Sequence, residues 1–157
     1  MDMEKLTTKS REAMIASQSI AAEYGHQEIR PIHLLKALAD QEGGLIPSLL
    51  KKMNVDYGSL AIEQELRSIP SVSGPGAQQS YTSRDFSQTL VKAKEIAERM
   101  KDDYISVEHL FLALIDTDKK CAALLKGLGV DENSVLAALK AVRGNQRVTN
   151  ASPESTF

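Results

Sequence analysis

The side chains with chemistry to offer in this 157-residue sequence are three histidines, one cysteine and a few closely spaced carboxylates. Acid–base catalysis needs titratable groups within hydrogen-bond reach of one another, and Asp102-Asp103 and Glu108 are the group to weigh, with a histidine as the third member. Acidic residues at helix boundaries more often serve as caps or solvated charges. Zinc requires clustered Cys and His ligands, whereas His26, His33 and His109 are far apart along the chain. Cys121, in Lys119-Lys120-Cys121-Ala122-Ala123, has no second thiol to pair with and no histidine close in sequence to activate it, so it reads as a partly buried thiol. No Gly-x-x-x-x-Gly-Lys-Ser/Thr run is present to cradle a nucleotide's phosphates. These side chains give no reason to expect catalysis, and no catalytic, metal-binding or cofactor-binding residue is assigned among them.

The elements that must carry these residues come in two copies. At an offset of 76, Ile29, His33, Leu34, Ala37 and Leu38 match Ile105, His109, Leu110, Ala113 and Leu114. At an offset of 75, Leu49-Leu50-Lys51 and Val55-Asp56 match Leu124-Leu125-Lys126 and Val130-Asp131. The equivalence of His33 and His109 favours a structural role, a ring bonding to a neighbouring loop or helix end, over a pH-sensitive contact. Before each block, Ser10, Ala13, Met14, Ser17, Ile20, Ala21 and Tyr24 face Phe86, Thr89, Leu90, Ala93, Ile96, Ala97 and Met100, both sets recurring at steps of three and four. That spacing predicts a long amphipathic helix opening each half, with Met14, Leu90 and Met100 more readily core than ligand-facing.

Second helices are expected from about Pro31, with proline in the first turn, and from Val107, after Ser106 as a hydroxyl cap. Leu45–Met53 and Cys121–Leu128 read as short third helices, and Asp56 and Asp131 as caps of fourth helices ending near Ser68 and Arg143. The fold class is thus all-α, two pseudo-repeats of about four helices packed into one domain over residues 1–143. Repeat one covers about 1–68 and repeat two about 83–143. Residues 69–82, rich in Pro, Gly and Ser, read as a linker crossing the surface, and 144–157, polar and without an apolar face, as a flexible tether that is mobile and dispensable for stability.

Composition narrows the partners. Nineteen Lys and Arg against 21 Asp and Glu, with no basic run, argue against a nucleic-acid surface. No apolar stretch approaches the roughly 20 residues that a membrane span needs, and the start of the chain lacks a signal-peptide core, so a soluble cytoplasmic protein is expected. Aromatic residues make up only 4% of the chain, so the core must be mainly aliphatic.

Tyr24-Gly25-His26-Gln27-Glu28-Ile29-Arg30-Pro31-Ile32-His33-Leu34-Leu35-Lys36-Ala37-Leu38 and its partner Asp103-Tyr104-Ile105-Ser106-Val107-Glu108-His109-Leu110-Phe111-Leu112-Ala113-Leu114 resemble the double Clp N-terminal motif. Leu6-Thr7, Gln41-Glu42-Gly43-Gly44 and Val142-Arg143-Gly144-Asn145-Gln146-Arg147-Val148-Thr149 are similar to the ClpB-type disaggregase branch of that family. The resemblance runs from about residue 3 to residue 155 and implies a mobile N-terminal domain of a hexameric ATPase that extracts polypeptides from aggregates with a DnaK-type chaperone system. ATP and magnesium would then belong to the parent protein, and the isolated domain is expected to be a monomer that binds unfolded or aggregated polypeptide.

Alternatives are docking of a dedicated adaptor, as in protease-linked Clp ATPases, and a helical enzyme built on Asp102 and Glu108. The resemblance also implies a substrate groove bordered by a threonine and acidic residues, which here are Thr7, Asp102 and Glu108. Phe86, which stands where the first repeat has Ser10, and Leu90 are the candidate apolar lining. The competing reading is that Thr7 and Glu108 cap helices and Asp102 is solvated.

Overall fold

The three-and-four spacing near each repeat start becomes α1 (Thr8–Glu23) and α5 (Arg84–Arg99) in a computed structural model that describes residues 3–56, 61–74, 79–144 and 146–155. The two helices begin alike. Thr7 Oγ1 accepts from the Ser10 amide at 3.2 Å and Ser83 Oγ from the Phe86 amide at 3.0 Å, which satisfies a first-turn donor in each repeat. They also end alike, because Gly25 and Lys101 follow with φ of 70° and 60°, and the next amides, His26 and Asp102, bond back to the Ala21 and Ala97 carbonyls. Gly25 has a second reason to lack a side chain, since a Cβ there would lie 3.2 Å from the Cβ of Ser71.

The other helices are α2 (Pro31–Asp40), α3 (Leu45–Lys52), α4 (Ile62–Ser68), α6 (Val107–Thr117), α7 (Lys119–Lys126) and α8 (Glu132–Arg143). Helix α7 starts two residues before its expected position because Asp118 caps it, accepting from the Cys121 amide at 2.9 Å. Asp131 caps α8 as expected. The expected cap at Asp56 adjoins residues 57–60, which lie outside the described residues.

Helices α2 and α6 are buried over most of their length and pack on each other at the centre, while α1 also touches α6 and α2 touches α5. The core is one aliphatic cluster with Phe86 and Phe111 as its largest fully buried side chains.

Two short parallel pairings reveal how the repeats are related. Strand β1 (Glu28–Ile29) pairs with β2 (Tyr81–Thr82), with Ile29 opposite Thr82, and Leu6 pairs with Ile105. Leu6 and Thr82 are equivalent positions, as are Ile29 and Ile105, so each repeat lends its leading strand to the other. That reciprocity is the signature of a pseudo-twofold arrangement and joins the halves through both packing and backbone hydrogen bonds.

The segment between the repeats is pinned at both ends: the Val72 amide donates to the Gly25 carbonyl at 2.8 Å and the Tyr81 amide to the Gln27 carbonyl at 2.9 Å. Its residues 75–78 lie outside the described residues. The polar stretch after Arg143 departs from the expectation of a free tether. The Asp103 amide donates to the Val148 carbonyl and the Thr8 amide to the Ala151 carbonyl, each at 2.7 Å, while Val148 and Glu154 are buried. Its lack of periodicity reflects an extended strap held by backbone bonds, which need no repeating apolar face.

Candidate functional site

At the start of α2 and of α6, the third helical residue is a histidine whose Nδ1 accepts the amide hydrogen of the cap residue at 2.8 Å, from Arg30 to His33 and from Ser106 to His109. With Nδ1 occupied as an acceptor, the ring hydrogen sits on Nε2 and points at the residue placed by the turn after the preceding long helix. In repeat one that residue is His26, whose Nδ1 lies 2.9 Å from His33 Nε2. In repeat two it is Asp102, whose Oδ2 lies 2.7 Å from His109 Nε2. Positions 26 and 102 are equivalent, so one scaffold carries a neutral pair in one half and a charged one in the other. Burial pushes His33 down from its ordinary value of 6.5 to about 4, and a charge on His26 would push it the same way. Burial also lowers His26.

Around Asp102 the second repeat builds a larger network. Its Oδ1 accepts from Arg143 Nη2 at 2.6 Å and from the Val148 amide at 2.8 Å. Burial by itself would raise this carboxyl, but the hydrogen bonds from His109, Arg143 and Val148 outweigh it and hold the group at about 2. Arg143 Nη1 donates to Glu108 Oε2 at 3.2 Å and its Nε to the Gln146 carbonyl at 3.1 Å. Glu154, on the strap, accepts from Thr7 Oγ1 at 2.7 Å and from the Val107 amide at 3.3 Å. Burial raises the Glu154 carboxyl, with the Thr7 bond opposing and the neighbouring Glu108 charge adding to the rise.

Thr7, Asp102 and Glu108 are therefore brought to one region, but they face inward. Their exposures are 0%, 8% and 0%. Thr7 is an α1 cap that also holds the strap, Glu108 is an anchor for Arg143, and Asp102 is saturated by three donors instead of being solvated. Phe86 and Leu90, the proposed apolar lining, are 1% and 9% exposed and belong to the core. Phe86 replaces a small residue because it fills interior volume, not because it faces a ligand. None of the five side chains is displayed as the border or wall of an open groove.

The open apolar surface lies one step away, where α5, α6 and α8 meet. Met100 and Leu136 stand at the surface of a cleft of about 270 Å³ over a floor of Ile96 and Leu112, themselves 8% and 4% exposed, and Lys92, Arg99, Asp116 and Glu132 form its rim. Through Met100 and Leu136 it continues into a lobe of about 300 Å³ that reaches Leu139, Arg143 and Arg147. Leu136 is 39% exposed and Met100 half-buried, so apolar atoms stand at the mouth. Arg143 connects the two layers: it lines the lobe and, from the last turn of α8, grips Asp102 and Glu108. The buried network thus fixes the wall that α8 contributes.

Met100 was legible as an apolar residue at helical spacing, but its place at the groove was not. Leu136 left a usable signal, an aliphatic residue beside Val135 and therefore off the buried face formed by Val135 and Leu139. A separate cleft between the repeats, of about 420 Å³, is lined largely by charged side chains, including Asp85, Asp118, Lys119 and Lys120. Among the described residues no group of His, Cys, Asp or Glu is arranged to hold a metal ion, and no helix is long and apolar enough to cross a membrane.

The chain is 43% identical to the chaperone protein ClpB of Clostridium tetani and 41% identical to that of Nitratidesulfovibrio vulgaris, each match covering 100% of this chain and 19% of the relative. It thus spans about a fifth of the length of these relatives. Among solved structures, the Hsp104 N-terminal domain from Candida albicans matches with a TM-score of 0.81 at 22% identity, covering 96% of this chain and 99% of that one. A ClpV N-domain in complex with a VipB peptide matches with a TM-score of 0.70 at 17% identity, covering 95% of this chain and 91% of that one. The Clp repeat (R) N-terminal domain family matches residues 5–128 and 86–155, the second match running through the strap. With two matching repeats and ClpB relatives aligned along its whole length, the chain belongs to the Clp repeat N-terminal domain family.

Proposed function

We propose that this domain binds exposed apolar segments of non-native polypeptide in the groove between α5, α6 and α8 and delivers them to the ATP-driven remaining part of a ClpB-type chaperone. The observation that carries the reading is the groove itself, an open cleft with a charged rim, Leu136 exposed at its mouth and the unbranched, adaptable Met100 in its wall above buried Ile96 and Leu112. Such a surface accepts many sequences because apolar burial is non-directional. The ClpV N-domain that holds a VipB peptide offers a precedent for peptide capture by this fold. It also keeps a second reading in view, the docking of one dedicated adaptor peptide. In the parent protein, the homohexameric ring, ATP and magnesium, the DnaK-type partner and the cytoplasmic location belong to this same proposal.

Leu136→Ser tests it. Removing part of a leucine's apolar contact forfeits about 1 kcal/mol, or roughly fivefold in affinity, at little cost to a fold in which the side chain is half open. Fluorescence anisotropy with a permanently unfolded polypeptide is expected to show that weakening. Unchanged affinity in a variant with a normal melting curve would place binding elsewhere. A high affinity for one folded adaptor with none for unfolded chain would favour the second reading.

A further inference from the structure

The groove has a counterpart in the first repeat, and the two differ in charge. Between α1 and α2, Ala16, Ile20, Glu23, Tyr24, Lys36 and Asp40 line a cleft at positions equivalent to Lys92, Ile96, Arg99, Met100, Leu112 and Asp116. In repeat one a lysine replaces the leucine on the floor and five carboxylates line the cleft with it, of which Glu12 also pairs with Lys9 and Glu63 with Arg67. In repeat two the floor is aliphatic and the rim carries Lys92, Arg99, Lys140 and Arg147 against Asp116 and Glu132.

Not all of that charge is available. Lys92 lies 3.4 Å from Asp116 and 3.5 Å from Glu95, so its charge is spent locally. Arg143 is committed to Asp102 and Glu108. Arg99, Lys140 and Arg147 are exposed, and although Arg147 Nε donates to the Lys101 carbonyl at 2.7 Å no carboxylate neutralises it, leaving three cations against Glu132 around the apolar mouth. Basic residues in a last helical turn often only complement the helix dipole. Helix α1 shows that this position needs no such help, because it ends on Glu23 where α5 ends on Arg99, and it has no base in its last turn.

Resting on the groove assigned above, we infer that repeat two selects apolar polypeptide segments flanked by acidic residues and discriminates against those flanked by basic ones. The flanking carboxylates meet Arg99, Lys140 and Arg147 while the aliphatic core of the segment meets Met100 and Leu136. The first repeat offers no second such site, since its acidic cleft repels the same segment. Charge at an open rim works mainly as a selector and in orientation, and it fades with salt because the Debye length is only about 8 Å at physiological ionic strength.

The probes are three fluorescein-labelled, unstructured peptides sharing one aliphatic core, with glutamates, glutamines or lysines on both sides. At low salt the glutamate-flanked peptide is expected to bind wild type about tenfold more tightly than the lysine-flanked one, with the glutamine-flanked peptide between them and the spread narrowing as salt is added. R99E combined with K140E is expected to reverse the order, and R99Q with K140Q to collapse the acidic peptide onto the neutral one, melting curves confirming that both variants fold. Leu136→Ser is expected to weaken all three peptides. If Leu136→Ser weakens all three but wild type does not rank them, or the ranking survives both charge variants, the charge selection is wrong and the groove stands. If no peptide binds wild type, or Leu136→Ser changes nothing, the groove assignment fails and this inference falls with it.

Discussion

His33 and His109 hold the same place in their repeats, yet one Nε2 faces a neutral imidazole and the other a carboxylate. The sign of the resulting pH effect follows from His33, whose folded value of about 4 lies below its ordinary 6.5. Its contribution to stability is complete above 6.5 and is lost as pH falls to about 4, because the unfolded chain takes up the proton first; a drop on the order of 3 kcal/mol is the ceiling for this group. His26, also lowered, adds in the same direction. Urea unfolding measured from neutral pH to pH 4 is expected to show that decline, and His26→Asp, which copies the arrangement at position 102, to flatten it. A variant declining as steeply as wild type would contradict the coupling. The histidine positions were legible because they repeat at a fixed offset. The role of Asp102 and Glu108 was not, because what turns both carboxylates inward is Arg143, 41 and 35 residues further along. Chain pattern cannot report a partner at that distance, and a buried carboxylate looks in sequence like a solvated one.

At the scale of elements, the helices were legible where apolar spacing is regular, as in α1 and α5, and where a cap residue marks the start, as Asp131 does for α8. The strap was not legible. Buried Val148, backbone hydrogen bonds to Asp103 and Thr8, the Val148 amide on Asp102, the Arg143 and Arg147 bonds to the Gln146 and Lys101 carbonyls and Glu154 on Thr7 hold it, and none of these forms a periodic pattern. Ending the chain after Gly144 exposes Val148's site, takes one donor from Asp102 and uncovers the α1 start. Burial of a valine-sized side chain alone is worth about 1.5 kcal/mol or more, and in a domain of this size each kcal/mol shifts Tm by roughly 2–4 °C. Truncation is expected to lower Tm by about 3–6 °C or more in differential scanning calorimetry. An unchanged Tm would show that the strap adds nothing and that the tether reading from composition was right. The pairings of Leu6 with Ile105 and Ile29 with Thr82 were equally hidden, since a strand one or two residues long leaves no alternating signature.

For the molecule as a whole, the two repeats carry two versions of one surface, with a lysine on the floor in the first and a leucine in the second. The reciprocal strand exchange makes the halves depend on each other, so the groove's wall at α8 is braced by the strap, by Arg143 and, through Thr7 and Glu154, by the start of the first repeat. The fold and the twofold relation were legible in the 76-residue offset, whereas the groove was not, because it forms where α5, α6 and α8 converge, far apart in the chain. The most direct test is a methyl-labelled NMR titration of the domain with a permanently unfolded polypeptide. Shifts are expected to concentrate at Met100 and Leu136, leaving buried Leu90 and, in the equivalent repeat-one cleft, Ile20 unmoved. Shifts confined to Ile20 and its neighbours, or to Ile32 and Ile69 in the cleft between the repeats, would contradict the account.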